Sequence, residues 1–143
     1  MNVYIASDHG GFNLKSYLIK NNPSMKFQDL GPTNTDSVDY PDYAKQVCEK
    51  LKQDPQSLGI LICGSGQGMA MSANKYAHIR AALCWNQELA ELSKLHNDAN
   101  ILCMGERVIE KDLALNILST FLETKFEGGR HERRVQKMKE IAQ

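Results

Sequence analysis

The chain has no long apolar segment, no excess of either charge and no paired cysteines. Its 143 residues carry 17 basic and 17 acidic side chains, so it lacks the net field that draws a protein to nucleic acid or to an anionic membrane. No apolar run approaches the roughly 18 residues of a membrane span. The amino terminus has no charged region or cleavage site typical of a signal peptide. These absences predict a cytoplasmic protein whose partner is a small molecule.

Cysteine occurs four times, but never in a Cys-x-x-Cys pair. This spacing does not favour a zinc knuckle or a disulfide framework, so we expect reduced thiols. Cys48, Cys84 and Cys103 fall within apolar patterns and are expected to be small buried side chains. No group of His, Asp and Glu residues has metal-ligand spacing either, so we predict neither a metal site nor a cofactor.

Short apolar segments alternate with helical patterns along the chain, which predicts an α/β fold with a five-stranded parallel sheet flanked by helices. The predicted strands cover residues 3–6, 25–27, 58–62, 79–83 and 101–104. The predicted helices cover residues 11–21, 42–53, 67–75, 87–95, 111–123 and 130 to the carboxyl terminus. Without repeats or linkers, residues 1–143 are predicted to form a single domain. Ligands of such sheets bind at the carboxyl ends of the strands, where we expect all the motifs below to lie.

The third apolar segment runs directly into a loop with glycine at every second position. The sequence of this loop is Cys63-Gly64-Ser65-Gly66-Gln67-Gly68. Glycine lets backbone N–H groups approach a ligand oxygen closely, and the helix predicted next would add a positive end. The loop therefore predicts a base or nucleophile at Cys63, a hydroxyl at Ser65 and a receptor for an anion.

Three further groups of polar residues follow other segments, and each also has an ordinary structural interpretation. Asp8 and His9 follow the first strand, where Asp8 could simply cap a helix. His96, Asn97 and the more distant Arg107 could be helix-end and surface residues.

The third group lies near the carboxyl terminus, where two glycines precede a basic helix. Arg130 and Arg134 are four residues apart, so they share a helical face that could grip a phosphate. The alternative is a solvated amphipathic helix.

Two familiar reaction classes fit the glycine loop poorly. A cysteine-dependent phosphatase needs an arginine six residues after the thiol, and a dinucleotide fingerprint needs a small residue at that same position. Met69 occupies it here. Proton transfer on a phosphorylated carbonyl compound remains, with Cys63 as the base and the loop stabilising an enediolate.

Taken together, the motifs resemble those of ribose-5-phosphate isomerase type B, a family that also includes galactose-6-phosphate isomerase subunits. They occur in order over nearly the whole chain, and they are Ala6-Ser7-Asp8-His9-Gly10-Gly11, Asp39-Tyr40-Pro41-Asp42-Tyr43-Ala44, the Cys63 loop, Ala73-Asn74-Lys75, His96-Asn97-Asp98-Ala99-Asn100 and Gly128-Gly129-Arg130-His131. The resemblance implies a three-layer Rossmann-like fold and metal-free interconversion of ribose 5-phosphate and ribulose 5-phosphate in the pentose phosphate pathway. It also implies a homodimer with shared active sites, able to pair into a tetramer, and a carboxyl-terminal helix directed toward the partner subunit.

The resemblance assigns roles to individual residues. Cys63 would move the proton between C1 and C2, and His96, helped by Asp8, would open the furanose ring. Ser65 and the loop residues Gly64, Gly66, Gln67 and Gly68 would hold the enediolate. Phosphate would bind to His9, Arg107, Arg130 and Arg134, and the sugar hydroxyls to Tyr43 and Asn97. One branch of the family uses a glutamate six residues after the cysteine position as its base, but Met69 there cannot accept a proton.

Two alternatives stay open. The substrate could be a six-carbon sugar phosphate, allose 6-phosphate or galactose 6-phosphate, because these residues do not reveal the substrate length. The chain could also be a non-catalytic module that binds sugar phosphates, since a fold alone does not determine function.

Overall fold

The structure, a computed structural model, describes residues 1–141 and contains five parallel strands in the order β2-β1-β3-β5-β4. The strands are β1 (Val3–Ser7), β2 (Phe27–Asp29), β3 (Leu58–Cys63), β4 (Ala81–Leu83) and β5 (Ile101–Gly105). The predicted parallel sheet is therefore confirmed. The prediction for β2 began two residues early because Met25 is apolar. Met25 packs against the core from a turn, in which its N–H donates to Asn22 O.

Within residues 1–141, six α-helices connect and flank the strands, and a 3-10 turn at His9–Gly11 precedes the first of them. The helices are α1 (Phe12–Lys20), α2 (Tyr40–Gln53), α3 (Gln67–Ala73), α4 (Gln87–Leu95), α5 (Lys111–Glu123) and α6 (Arg130–Ile141). The predicted bounds of α4 and α5 agree with the structure at both ends. Helix α4 starts sharply because the Asn86 side chain caps it, accepting a hydrogen bond from Leu89 N.

Alternating side chains of the strands divide the core into two clusters. In β1, Val3 and Ile5 face one cluster, which α1, α4 and α5 cover, whereas Tyr4 and Ala6 face the other, which α2 and α3 cover. Both faces of the sheet are thus buried, and every residue of β1 and of β3 is buried, as is typical of parallel strands that are covered on both faces. The result is the predicted three-layer arrangement.

The order of the strands reverses between β1 and β3. After β1 the chain continues to β2 on one side, and after β3 it continues to β4 and β5 on the other. Connections that leave in opposite directions open a crevice at the carboxyl ends of such strands. Asp8 and Cys63 lie at this crevice, because β1 ends at Ser7 and β3 ends at Cys63.

Helix α6 is less enclosed than the other helices. Its buried residues are His131 and Val135, both in its first half, whereas Met138 and Ile141 are exposed. The direction of this helix toward a partner subunit stays a prediction. Within residues 1–141, no helix combines the length and the apolar character that crossing a membrane requires.

Lys15 is a buried charge that connects α1 to the segment after β2. Its side chain is fully buried, and Nζ donates to Asp29 Oδ1 at 2.8 Å and to Pro32 O at 2.7 Å. The same Asp29 oxygen accepts Gly31 N at 2.9 Å. Lys15 therefore holds the start of the long connection, residues 30–39, against the edge of the sheet.

We expect Lys15→Met to lower the free energy of unfolding by about 1–3 kcal/mol, because it leaves the buried Pro32 carbonyl without a donor. Urea unfolding followed by circular dichroism measures the change. Lys20→Met, an exposed position of the same helix, is the control and should change stability by less than about 0.5 kcal/mol. Equal losses in the two variants would contradict the anchoring role of Lys15.

Candidate active site

Cys63 lines a cavity of about 470 Å³ at the carboxyl ends of β1, β3 and β5. Five of the predicted site residues share this cavity with Cys63, together with two residues that were not predicted. The lining consists of Asp8, Tyr40, Cys63, Gly64, Ser65, Gly68, Arg107 and Val108. A wider groove of about 1190 Å³, lined by Trp85 among others, adjoins it and shares Ser65 and Arg107.

The thiol of Cys63 accepts a hydrogen bond from the backbone of its own loop. Gly66 N lies 3.2 Å from Cys63 Sγ, and an N–H donor favours the charged thiolate over the neutral thiol. Gly66 has φ +81, and a Cβ there would lie 2.5 Å from Leu83 Cδ1. Only glycine fits this turn, so the sequence places the donor beside the sulfur before any ligand binds.

Backbone hydrogen bonds from the loop after β5 hold the Cys63 loop in place. Glu106 N donates to Cys63 O at 2.9 Å, and Arg107 N donates to Gly64 O at 3.0 Å. These bonds also bring the exposed Arg107 side chain over the loop, where one guanidinium nitrogen would lie 3.2 Å from a Cβ on Gly64. Among the described residues Arg107 has no carboxylate partner, so its charge is available to an anionic ligand.

The other three thiols are buried as predicted, and burial suppresses their ionisation. It raises the pKa of Cys48 to about 12 and that of Cys84 to about 11, and it raises the pKa of Cys103 well above its usual value. Since the thiolate is the reactive form, these three cysteines are unsuited to act as bases at neutral pH.

Asp8 and His9 both serve the structure, and Asp8 also faces the cavity. Asp8 Oδ1 accepts Gly11 N at 3.1 Å, so the capping interpretation is correct, yet the same buried side chain lines the cavity. His9 Nδ1 accepts Val38 N at 3.2 Å. In neutral His9 the proton therefore resides on Nε2, which can donate to an anion.

The two tyrosines of α2 lie differently from the expectation, which gave a site role to Tyr43 alone. Tyr43 is not among the cavity-lining residues, because its ring packs on Gly31, where a Cβ would lie 3.1 Å from Cε1. Tyr40 lines the cavity and lies against Gly68. Tyr40 was not among the predicted site residues, although it lies in the motif Asp39-Tyr40-Pro41-Asp42-Tyr43-Ala44.

His96, Asn97, Arg130 and Arg134 do not join this cavity, and the expectation that every motif lies at the carboxyl ends of the strands is wrong for them. His96 follows α4, which runs back to the start of β5. Asn100, which directly precedes β5, marks that end of the sheet, because its carbonyl oxygen accepts a hydrogen bond from Gly59 N. Gly59 lies four residues before Cys63 in β3, so about 13 Å of strand separates the two positions. The sequence contained this signal, since any helix between parallel strands ends at their amino edge.

Glu127 brings α6 to the same amino edge. Its N–H donates to Leu95 O at 3.1 Å, and its Oε2 lies 3.6 Å from His96 Nε2 and 3.8 Å from His131 Nε2. Arg130 and Arg134 then lie in the first turns of α6, exposed and without a salt bridge among residues 1–141. One chain therefore holds the predicted site residues in two groups, one at each edge of its sheet.

Among residues 1–141, His96, Glu127 and His131 also form a group close enough to hold a metal ion, since their ligand atoms lie within 4.8 Å of one another. Their ring orientation does not suit an ion. The two imidazole rings are stacked, with their centroids 4.1 Å apart and an interplanar angle of 12°. A metal ion bound by an imidazole lies in the plane of the ring, and one ion could not lie in the planes of two stacked rings. The residues instead form a stacked pair that shares one carboxylate.

Comparison with known proteins places this geometry in a family. Residues 3–138 match the sequence model of a family described as ribose/galactose isomerase. A curated relative, ribose-5-phosphate isomerase B of Escherichia coli, is 40% identical over 143 residues, which cover 99% of this chain and 96% of that protein.

Solved structures extend the similarity to the fold. Ribose-5-phosphate isomerase B of Clostridium thermocellum superposes with a TM-score of 0.95 at 47% identity, over 99% of this chain and 97% of that chain. The Mycoplasma genitalium enzyme, solved with bound ribulose 5-phosphate, superposes with a TM-score of 0.93 at 40% identity, over 98% and 95% of the two chains.

We expect iodoacetamide at neutral pH to alkylate Cys63 well before the other cysteines. Cys63 lines a cavity and receives an N–H bond, whereas Cys48 and Cys84 have raised pKa values and Cys103 is fully buried. The order in which the cysteines are alkylated is measured by peptide mass spectrometry of the folded protein, sampled over a short time course. Labelling of Cys48 or Cys84 at the rate of Cys63 would be inconsistent with this site.

Proposed function

The chain belongs to the ribose/galactose isomerase family and is an isomerase, and from that premise we propose that it interconverts ribose 5-phosphate and ribulose 5-phosphate. The observation that carries the proposal is the Cys63 thiol, held by Gly66 N in a cavity that also contains a carboxylate and a guanidinium. The enzymes named ribose-5-phosphate isomerase B cover almost the whole chain, which supports a five-carbon substrate and one isomerase domain.

In the proposed reaction the Cys63 thiolate takes the proton from C2 of the open-chain aldose. The electron pair of that C–H bond forms the C1=C2 double bond, and the carbonyl oxygen at C1 becomes the enediolate oxygen. Cys63 then returns the proton to C1. In the same conversion the hydroxyl at C2 loses its proton and becomes the ketone oxygen, and the oxygen at C1 gains a proton and becomes a hydroxyl. No external oxidant or reductant is needed.

The loop residues supply the groups that the enediolate requires. N–H groups of Gly64, Gln67 and Gly68 are proposed to stabilise the developing negative charge, as an oxyanion hole does, while the Gly66 N–H stays on the Cys63 sulfur. The Ser65 hydroxyl both donates and accepts, which suits the transfer of a proton between the two substrate oxygens. With a thiolate base and amide donors, the mechanism needs no metal ion.

We propose that a second copy of the chain completes the site. Ring opening by His96 and phosphate binding by Arg130 and Arg134 need these residues near the substrate, yet in one chain they lie at the opposite edge from Cys63. A partner's amino-edge residues can reach the Cys63 cavity in a symmetric dimer, which would contain two equivalent sites. The phosphate would then meet Arg107 and His9 from one chain and the two arginines from its partner. Asn97 and Tyr40 are proposed to contact the sugar hydroxyls.

We expect Cys63→Ala to reduce the rate of ribose 5-phosphate isomerisation by about 10²- to 10⁴-fold, the usual contribution of a general base. Cys48→Ala removes a buried thiol outside the cavity and should retain activity. The purified protein is assayed with ribose 5-phosphate and with allose 6-phosphate, each with and without a chelator. Full activity of Cys63→Ala would contradict the role of Cys63 as the base. Loss of activity in the presence of chelator would contradict the metal-free mechanism, and a preference for allose 6-phosphate would contradict the five-carbon substrate.

Mixing two inactive variants tests the shared site. We expect Cys63→Ala and His96→Ala homo-oligomers to be nearly inactive separately. After unfolding and refolding together, about one quarter of wild-type activity should return, because half of the dimers are hybrids with one intact site of two. Recovery of no activity from the mixture would show that Cys63 and His96 of the same chain must cooperate. Wild-type protein taken through the same refolding is the control.

A further inference from the structure

His131 is a buried histidine to which the proposed reaction has so far given no role. Its ring is stacked on that of His96, with centroids 4.1 Å apart and an interplanar angle of 12°. The His131 side chain is 11% exposed, whereas that of His96 is 37% exposed. One ring therefore forms a covered support, and the other keeps an accessible edge.

The chain makes a sharp turn to form this stack. Glu127 N donates to Leu95 O at the end of α4, and the next two residues, Gly128 and Gly129, have φ +73 and +57. Both values lie in the left-handed region that glycine adopts readily. His131 N then donates to Gly128 O, so α6 begins directly against the residue that ends α4. This turn places the imidazole of His131 against that of His96.

The charges around the stack favour a neutral His131. Burial lowers the pKa of His131, and the neighbouring charges of His96, Arg130 and Arg134 act in the same direction, whereas Glu127 opposes them. Two stacked imidazolium ions would repel each other, and one carboxylate, Glu127 Oε2, faces both Nε2 atoms. The arrangement thus favours a neutral His131 ring beneath the more exposed ring of His96.

We propose that His131 is a positioning residue for the opening of the sugar ring. The proposal rests on the proposed function, in which His96 acts on the furanose form. Ring opening breaks the bond between C1 and the ring oxygen, which needs a proton, while the hydroxyl at C1 loses one. A single imidazole can serve both oxygens only if its edge is held at a constant angle, and the stacked His131 supplies that restraint. Misplacing such a group by about 1 Å can cost roughly 100-fold in rate.

The chemistry of the two substrates separates this role from a general structural one. Ribose 5-phosphate is mostly a furanose and must open before isomerisation. Ribulose 5-phosphate is acyclic, because the oxygen at C5 that would close its ring carries the phosphate. Exchange of its C1 hydrogen with solvent needs the Cys63 proton transfer but no ring opening. A residue that acts only through His96 should therefore affect the first reaction and not the second.

The experiment compares His131→Ala with His131→Phe in both reactions. The alanine variant should lower kcat for ribose 5-phosphate by roughly 10- to 100-fold, whereas nuclear magnetic resonance in deuterium oxide should show unchanged loss of the C1 hydrogen of ribulose 5-phosphate. The phenylalanine variant keeps a flat ring beneath His96 and should retain most of the kcat. Cys63→Ala is the reference that loses both reactions.

Several outcomes would overturn the proposal. Equal slowing of both reactions in His131→Ala would indicate a general structural role, and no slowing of either would remove the role altogether. If His131→Phe were as slow as the alanine variant, the stack would not be the cause. Should circular dichroism show that His131→Ala does not fold, His131→Gln, which has no ring, takes its place. Wild-type protein inactive in both reactions would instead refute the proposed function.

Discussion

The alignment of β1, β3 and β5 is the constraint on which the chemistry of this protein depends. Ser7 pairs with Ile62, and Cys63 pairs with Gly105. Because of this register, the loops that follow the three strands begin at the same height along the sheet. Backbone bonds then extend that level into the loops, as Asp8 N donates to Ile62 O and Arg107 N donates to Gly64 O. A carboxylate, a thiol and a guanidinium thus meet because the sheet, rather than any loop by itself, sets their relative positions.

The same alignment separates the residues that the chain cannot bring together by itself. The amino and carboxyl edges of the sheet are separated by the length of its strands, and a strand of six residues such as β3 is longer than any side chain can span. His96 and the arginines of α6 lie at one edge, and Cys63 lies at the other. If a second copy supplies His96 and the arginines of α6, catalysis requires association of the two chains. The sparsely covered α6 is then the helix through which one subunit contributes residues to the cavity of the other.

Several sequence predictions succeeded because they rest on short-range patterns. The apolar strands β1, β3 and β5 and the helices between them follow from periodicity and end signals, such as the Asn86 cap of α4. The pair Tyr40 and Tyr43 shows the limit of that reasoning. The two residues are three apart on one helical face, so the sequence cannot tell which ring contacts Gly31 and which reaches the cavity.

The sequence by itself determined the alternation of strands and helices, the thiol at the start of a glycine loop and the motifs that identify the family. Each of these is encoded by neighbouring residues, whose side-chain periodicity and backbone freedom act over a few positions. Only the tertiary structure decided that His96 stacks on His131, that Lys15 is buried against Pro32 and that the predicted site residues lie in two separate groups. Those contacts join residues distant in the chain, and long-range packing rather than local preference selects them.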